Sequence, residues 1–88
     1  MAFGCAIPVA AIDQHVGARL RERREALGMS AADLAQAIQV TAARIAAFEQ
    51  GWTRIGGPVL VRLSLVLGVR PGFFFSGYDA DRANDRRH

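Results

Sequence analysis

The sequence contains no lysine, only one cysteine and no long apolar run. All 11 basic residues are arginine, a usage that also follows from a GC-rich genome and carries little weight alone. The single cysteine, Cys5, excludes an internal disulfide and agrees with a reducing compartment. No run approaches the roughly 20 apolar residues of a membrane span, and no basic segment marks residues 1–12 as a signal peptide. We therefore expect a cytoplasmic protein without membrane contact.

Patterns for catalysis and metal binding are also missing. The two histidines, His15 and His88, have no partner carboxylate or cysteine at catalytic or metal-ligand spacing. Asp13, two residues before His15, is better explained as a helix cap. The glycines do not form the GxxxxGK[ST] phosphate loop. The sequence thus predicts no enzyme, no cofactor, no metal ion and no small-molecule ligand.

The apolar content is sufficient for one small folded domain. Of the 88 residues, 51% are hydrophobic, which favours folding over disorder. We expect a flexible segment over 1–11, a domain over 12–78 and a disordered tail over 79–88. The stretch 13–78 holds eight arginines and five acids, so it carries the whole net charge of +3. This modest charge suits contact with phosphates.

Two short helical patterns lie almost end to end between residues 30 and 51. The first, about 31–38, has Ser30 as its N-cap and Asp33 three residues later, an approximate capping box. Its apolar face repeats at helical spacing through Leu34, Ala35 and Ile38. The three-residue link 39–41 is too short for anything but a sharp turn. This arrangement predicts a helix-turn-helix whose second helix projects from the body.

The projecting helix covers about 42–50. Thr41 is its N-cap candidate, and Gly51 ends it as a C-cap glycine. Ile45 and Phe48 form its apolar pair, so both are assigned to the core. Trp52 follows in the loop and is expected to pack against the body, because aromatic side chains bury large apolar areas.

Helical patterns also precede and follow this pair. The first helix repeats apolar residues at a spacing of four, namely Ile12, Val16 and Leu20. A fourth helix is indicated over 58–67 and a short fifth over 71–75, each beginning with proline. The fourth is apolar nearly all round, and three consecutive aromatics cannot all face one core. We assign the surplus apolar surface to a homodimer or partner interface of Val59, Val61, Leu65, Val66, Phe73, Phe74 and Phe75.

An ordered set of residues over roughly 13–76 resembles a known family. The matching positions are Gly17, Arg19, Leu20, Arg21, Arg24, Gly28, Met29, Ser30, Leu34, Ala35, Val40, Thr41, Ile45, Phe48, Glu49, Gly51, Leu60, Leu63, Leu67, Gly68 and Val69. The chain is similar to the Cro/C1-type helix-turn-helix family, the lambda- and 434-repressor-like DNA-binding domains, and to a bacterial subgroup of single-domain regulators. The resemblance implies an all-α, compact five-helix domain with a disordered C-terminal tail.

The same resemblance implies roles for individual residues. Arg24 and Glu49 occupy positions that pair across helices one and three, a structural ion pair. The family's phosphate-holding glutamine is replaced by Ala31. The glycine of its tight turn is replaced by Gln39, which must adopt a left-handed conformation or shift the turn.

The reading positions of the family's third helix are mostly alanine in this chain. The base-edge candidates are Thr41, Ala42, Ala43, Arg44 and Ala47, and the phosphate candidates are Arg19, Arg21, Gln50 and Arg54. Bidentate donors and acceptors discriminate bases, whereas an alanine methyl reaches little beyond a thymine methyl. We therefore expect weak direct base readout.

Two function hypotheses follow. The first is a DNA-binding transcriptional regulator that acts as a homodimer on double-stranded DNA, with preference resting on DNA shape and arginine. The second is a protein-interaction module on a helix-turn-helix scaffold that has lost autonomous sequence-specific DNA binding. The pairs Ala42 with Ala46 and Ala43 with Ala47 would give a partner helix a smooth strip.

Overall fold

The computed structural model describes residues 10–78. In this range the elements are α1 Ala11–Ala26, α2 Ala31–Ile38, α3 Ala42–Gln50, α4 Gly57–Leu67 and a 3-10 helix Pro71–Phe75. The expected all-α class is found with four α-helices within 10–78, and the short fifth helix expected over 71–75 is a 3-10 helix. Five residues that begin with proline and glycine suit the tighter 3-10 turn, which is used in short pieces. The predicted tail 79–88 and all but the last two residues of the predicted flexible segment lie outside the described residues.

Side-chain caps set the starts of α2 and α3. The Ser30 hydroxyl accepts a hydrogen bond from the Asp33 backbone at 2.9 Å, and the Asp33 carboxylate accepts one from the Ser30 backbone at 3.0 Å. The hydrogen bond from the Ser30 backbone, and after it the interaction of the carboxylate with the Ser30 hydroxyl, hold the pKa of Asp33 below its usual range. The Thr41 hydroxyl accepts from the Arg44 backbone at 3.1 Å. By contrast, Asp13 does not cap α1, because the N-cap position is Ala10.

The turn between α2 and α3 depends on Gln39. Its φ of 63° and ψ of 46° are left-handed, and in the described part of the chain no other residue except glycine has a positive φ. An L-residue in this conformation costs roughly 1–2 kcal/mol. The turn is held by a 2.9 Å hydrogen bond from the Val40 backbone to the Ala35 carbonyl. Gln39 thus takes the left-handed conformation, and the turn is not shifted.

The core lies where α1, α2, α3 and α4 meet the 3-10 helix. Its buried apolar residues are Val16, Leu20, Leu34, Ala35, Ile38, Ile45, Phe48, Leu63, Leu67 and Phe74. Two arginines bond helix C-termini around it: Arg23 donates to the Leu67 carbonyl at 3.0 Å and Arg62 to the Ile38 carbonyl at 3.5 Å. None of the helices between residues 10 and 78 combines the length and apolarity that crossing a membrane requires.

The surplus apolar residues of α4 and the 3-10 helix divide into three groups by their exposure. Val61, Leu65, Val66 and Phe75 are exposed, with Leu65 at 77%. Phe74 is fully buried, so its assignment to an interface is wrong: it fills the core beneath the 3-10 helix. The other two assigned residues, Val59 and Phe73, are half-buried and pack against the core.

Candidate nucleic-acid interface

The third helix is exposed along one side. Its first residues, Ala42, Ala43 and Arg44, and the preceding Thr41 are all exposed. The opposite side is anchored by Ile45 and Phe48, both buried. The helix is therefore fixed to the body along one side and presents its N-terminal half to solvent.

The alanines of α3 are not equally accessible. Ala46 is exposed, whereas Ala47, a base-edge candidate, is half-buried, and its carbonyl accepts a hydrogen bond from the Trp52 backbone at 3.0 Å. Arg44 is the long side chain among them, and its guanidinium carbon lies 5.6 Å from the centroid of the Phe48 ring. The exposed strip consequently offers methyl groups, one hydroxyl and one guanidinium.

Arg24 of α1 and Glu49 of α3 form a bidentate pair. Arg24 Nε donates to Glu49 Oε2 at 2.6 Å, and Nη2 donates to Oε1 at 3.1 Å. The hydrogen bond to Glu49 is the main reason that the pKa of Arg24 is raised above its usual range. A third donor, Nη1, bonds the Met29 carbonyl at 2.7 Å. These contacts are directed inward and tie α3 to α1.

Arg54, in the loop after α3, contacts the start of α1. Its Nε donates to Asp13 Oδ1 at 2.9 Å and its Nη2 to Oδ2 at 3.4 Å. The contact raises the pKa of Arg54 above its usual range. Gly51 explains how the loop reaches this place, because a Cβ there would lie 2.8 Å from the Cα of Gln14. The end of α3 therefore abuts the first turn of α1.

The structure does not bring Arg19 together with α3. Its guanidinium lies over the Phe73 ring at 4.0 Å, donates to the Phe73 carbonyl at 3.3 Å and pairs with Glu22 at 2.8 Å. On α1, Gly17 and Arg24 face α3, and Arg19 is on a different side of the helix from both. The contacts of Arg19 join α1 to the 3-10 helix and do not support its assignment as a phosphate candidate, which stays a prediction.

The remaining phosphate candidates lie on α1, at the end of α3 and in the loop after it. Gln50 is exposed as its last residue. Arg21 is exposed one turn after Gly17 and pairs with Glu25 at 3.0 Å, a contact along α1. Arg21, Gln50 and Arg54 are thus on or beside the elements that surround α3.

Two functional candidates were missed or misplaced by the sequence. The expectation that Trp52 packs against the body is wrong, because the side chain is 70% exposed. The Trp52 backbone bonds the Ala47 carbonyl, which fixes the chain as it leaves α3 but directs the indole outward. The sequence pattern indicates a helix cap at Asp13, and no local pattern pairs this residue with an arginine 41 residues away.

The histidine near the start of α1 has a structural contact. His15 Nε2 lies 2.7 Å from the Ser76 carbonyl, and its ring is 5.6 Å from that of Tyr78. The contact joins α1 to the chain after the 3-10 helix. Across residues 10–78, no three His, Cys, Asp or Glu side chains lie close enough together to hold a metal ion.

Several proteins described as transcriptional regulators are similar in sequence to this chain. The uncharacterized HTH-type transcriptional regulator y4wC of Sinorhizobium fredii is 43% identical over 65 residues, 74% of this chain and 46% of that protein. An uncharacterized transcriptional regulator in the ATPase CF(0) region of Rhodospirillum rubrum is 37% identical over 75 residues, 85% of this chain and 68% of that protein. The chain spans about half the length of y4wC and of a similar regulator from Sinorhizobium medicae.

Solved structures share the arrangement of helices. The restriction-modification controller protein C.AhdI from Aeromonas hydrophila superposes with a TM-score of 0.72 at 27% identity, covering 75% of this chain and all of that one. The clp gene regulator ClgR from Corynebacterium glutamicum gives 0.75 at 24% identity, covering 88% and 85%, a likeness of fold alone. The family model described as Helix-turn-helix matches residues 20–74. With the helix pair and these relatives, the chain belongs to the Cro/C1-type helix-turn-helix family of transcriptional regulators.

Proposed function

We propose that this chain is a DNA-binding transcriptional regulator that works as a homodimer, with α3 in the major groove and weak direct base readout. The observation that carries the proposal is the exposed N-terminal half of α3, from Thr41 to Arg44. In helix-turn-helix proteins the N-terminal residues of the second helix contact base edges. Support also comes from the description of C.AhdI as a restriction-modification controller protein and of y4wC as an HTH-type transcriptional regulator.

Arg44 is the main base-edge residue in this proposal. A guanidinium can bond guanine O6 and N7 together, and each good bidentate contact discriminates by about 1–3 kcal/mol. Thr41 adds one hydroxyl, while Ala42 and Ala43 allow close approach of the helix and contact thymine methyls. With Ala47 half-buried, the exposed Ala46 takes its place on the reading surface.

Arg21, Gln50 and Arg54 would hold the phosphates on either side of the groove. Such contacts fix register and supply affinity but carry no sequence information. Affinity should therefore depend strongly on salt, while the ratio of specific to random-sequence affinity should be small. Sequence preference would come from DNA shape as much as from the bases.

Titration with duplex DNA across a salt series tests this function. Random-sequence and genomic duplexes are added at about 50–200 mM salt, the range over which phosphate contacts change affinity steeply. Trp52, the single tryptophan, is exposed and serves as a fluorescence reporter. Arg44→Ala is compared with Arg70→Ala, which removes the same charge from the exposed residue before the 3-10 helix.

We expect Arg44→Ala to weaken binding about tenfold, by the loss of one guanidinium contact. Arg70→Ala should weaken it only slightly, through net charge. Equal effects of the two substitutions would contradict the assignment of α3 to the groove. No binding of either duplex at low salt would exclude the regulator and favour the second candidate.

The second candidate is a protein-interaction module, and the observation that favours it is Trp52. An indole that is 70% exposed beside an alanine strip is typical of an interface, and tryptophan is enriched among residues that dominate binding energy. A partner helix could lie along Ala42 and Ala46 with Trp52 at its end. In this case Trp52→Ala would abolish partner binding.

A further inference from the structure

We propose that Asp13 is a positioning residue for DNA binding: it holds the Nε edge of Arg54 so that the other edge is presented to a backbone phosphate. The inference rests on the proposed function. It concerns a carboxylate on α1, whose negative charge would by itself repel DNA. The relevant geometry is the fork of Arg54 on Asp13, at 2.9 Å from Nε to Oδ1 and 3.4 Å from Nη2 to Oδ2.

The two partners are very unequally exposed. The side chain of Asp13 is 16% exposed and that of Arg54 is 68% exposed. Asp13 lines a groove of about 270 Å³ whose apolar wall is formed by Ile12, Val16, Ile55, Leu60 and Phe75. A sheltered carboxylate left without its partner is costly. Arg54 is therefore held at its sheltered edge, and exchange of Asp13 for a phosphate at that edge is disfavoured.

The outer edge of Arg54 keeps donors for a ligand. A guanidinium has five N–H groups in a fixed plane, and Asp13 occupies one on Nε and one on Nη2. Three remain, and those on Nη1 and Nη2 point along one edge in the geometry that suits a bidentate phosphate contact. Fixing the plane in advance lowers the rotamer entropy lost when that contact forms.

The place of the pair in the fold agrees with this role. Gly51, the C-cap of α3, touches the backbone of Gln14, the residue after Asp13. Arg54 follows Gly51 by three residues, so Asp13 fixes the guanidinium beside the C-terminal end of the proposed reading helix. An arginine free to rotate on an exposed loop would have no defined direction relative to α3.

The test uses the change in DNA affinity when Asp13 is removed: a positioning role predicts weaker binding, whereas the change in net charge alone predicts tighter binding. The full chain is titrated with random-sequence duplex DNA over a salt series, as wild type, Asp13→Ala, Asp13→Asn, Arg54→Gln and the double variant Asp13→Ala/Arg54→Gln. Glu22→Gln is the matched control, because it also removes one negative charge from α1, at an exposed residue that pairs with Arg19. Circular dichroism at the titration temperature checks that each variant is folded.

We expect Asp13→Ala and Asp13→Asn to bind about three- to tenfold more weakly than wild type, despite their higher net charge. Glu22→Gln should bind equally or slightly more tightly. The slope of log affinity against log salt should be shallower in Arg54→Gln and in Asp13→Ala, by the amount that corresponds to about one phosphate contact. It should be unchanged in Glu22→Gln. The double variant should match Arg54→Gln alone, since Asp13 acts only through Arg54.

Two outcomes would overturn the inference separately from the function. If wild type binds and Asp13→Ala binds as tightly as Glu22→Gln, Asp13 does not position Arg54, although the regulator proposal survives. The same holds if the double variant is weaker than Arg54→Gln, because Asp13 then acts elsewhere. If wild type fails to bind any duplex, the proposed function and this role are both excluded.

Discussion

Arg24 and Glu49 join α1 to α3 through two hydrogen bonds, and both side chains are almost fully withdrawn from water, at 12% and 9% exposure. The pair lies where α3 meets the body of the domain. Its strength therefore determines how firmly α3 is oriented. The Arg19–Glu22 pair is different in kind, because Glu22 is 64% exposed and both residues are on one helix.

Glu49→Ala should lower the free energy of unfolding by about 3 kcal/mol, because it leaves a sheltered guanidinium without its carboxylate. Glu22→Ala, the control, should cost less than about 1 kcal/mol. Urea unfolding followed by circular dichroism measures both. A double variant, Arg24→Met with Glu49→Leu, should lose less than the sum of the single changes. Equal costs for Glu49→Ala and Glu22→Ala would contradict the structural role of the pair.

Gly17→Ala should destabilise the domain by about 3 kcal/mol, since the added carbon must displace backbone. A Cβ at Gly17 would lie 2.3 Å from the Phe48 carbonyl oxygen and 2.7 Å from that of Glu49. Gly72→Ala is the matched control, because nothing lies within 4 Å of its Cβ position and its φ is not positive. It should be neutral or stabilising by about 0.5 kcal/mol. Thermal unfolding distinguishes the two, and similar melting temperatures would refute the close contact of α1 and α3.

Gln39→Gly should stabilise the domain by about 0.5 kcal/mol, because glycine adopts the left-handed turn without strain while losing more chain entropy. Gln36→Gly, in the exposed middle of α2, should instead destabilise by about 1 kcal/mol. The same substitution is therefore expected to have opposite effects on stability at two positions three residues apart. Chemical denaturation of both variants checks the sign. Destabilisation by Gln39→Gly would mean that the side chain of Gln39 contributes to the turn.

Leu65→Glu should convert the proposed homodimer to a monomer at micromolar concentration without unfolding it, since Leu65 is 77% exposed on α4. Sedimentation velocity gives the mass. Ala18→Glu, which adds the same charge on the exposed surface of α1, should leave the mass unchanged. Phe74→Glu should unfold the chain, because it places a charge in the core. A dimer that survives Leu65→Glu would exclude the exposed face of α4 as the interface.

The positions of α2 and α3 could be predicted from the sequence because their signals are local. Ser30 and Thr41 cap the two helices and Gly51 ends the second, all within a few residues of the helices they bound. The exposure of the alanine strip follows from the same register. Residue identity and helical spacing were sufficient there.

Other parts of the site depend on contacts between residues that are far apart in the sequence. Tryptophan is a large apolar residue that is expected in a core, yet the loop directs the side chain of Trp52 outward. Asp13 and Arg54 are far apart in sequence and meet only because Gly51 lets α3 abut α1. Phe73, Phe74 and Phe75 are chemically identical, so which of them is buried is determined by the 3-10 turn and not by residue type.

The methyl groups of Ala42, Ala43 and Ala46 point away from the packed interior, so longer side chains there would meet solvent. Substitution with glutamine, asparagine or arginine would cost only the difference in helix propensity, a few tenths of a kcal/mol for each residue. New base preferences could therefore be installed at these three positions with little loss of folding free energy. Under the proposed function, operator choice and structural integrity would be encoded by separate residues of the same nine-residue helix.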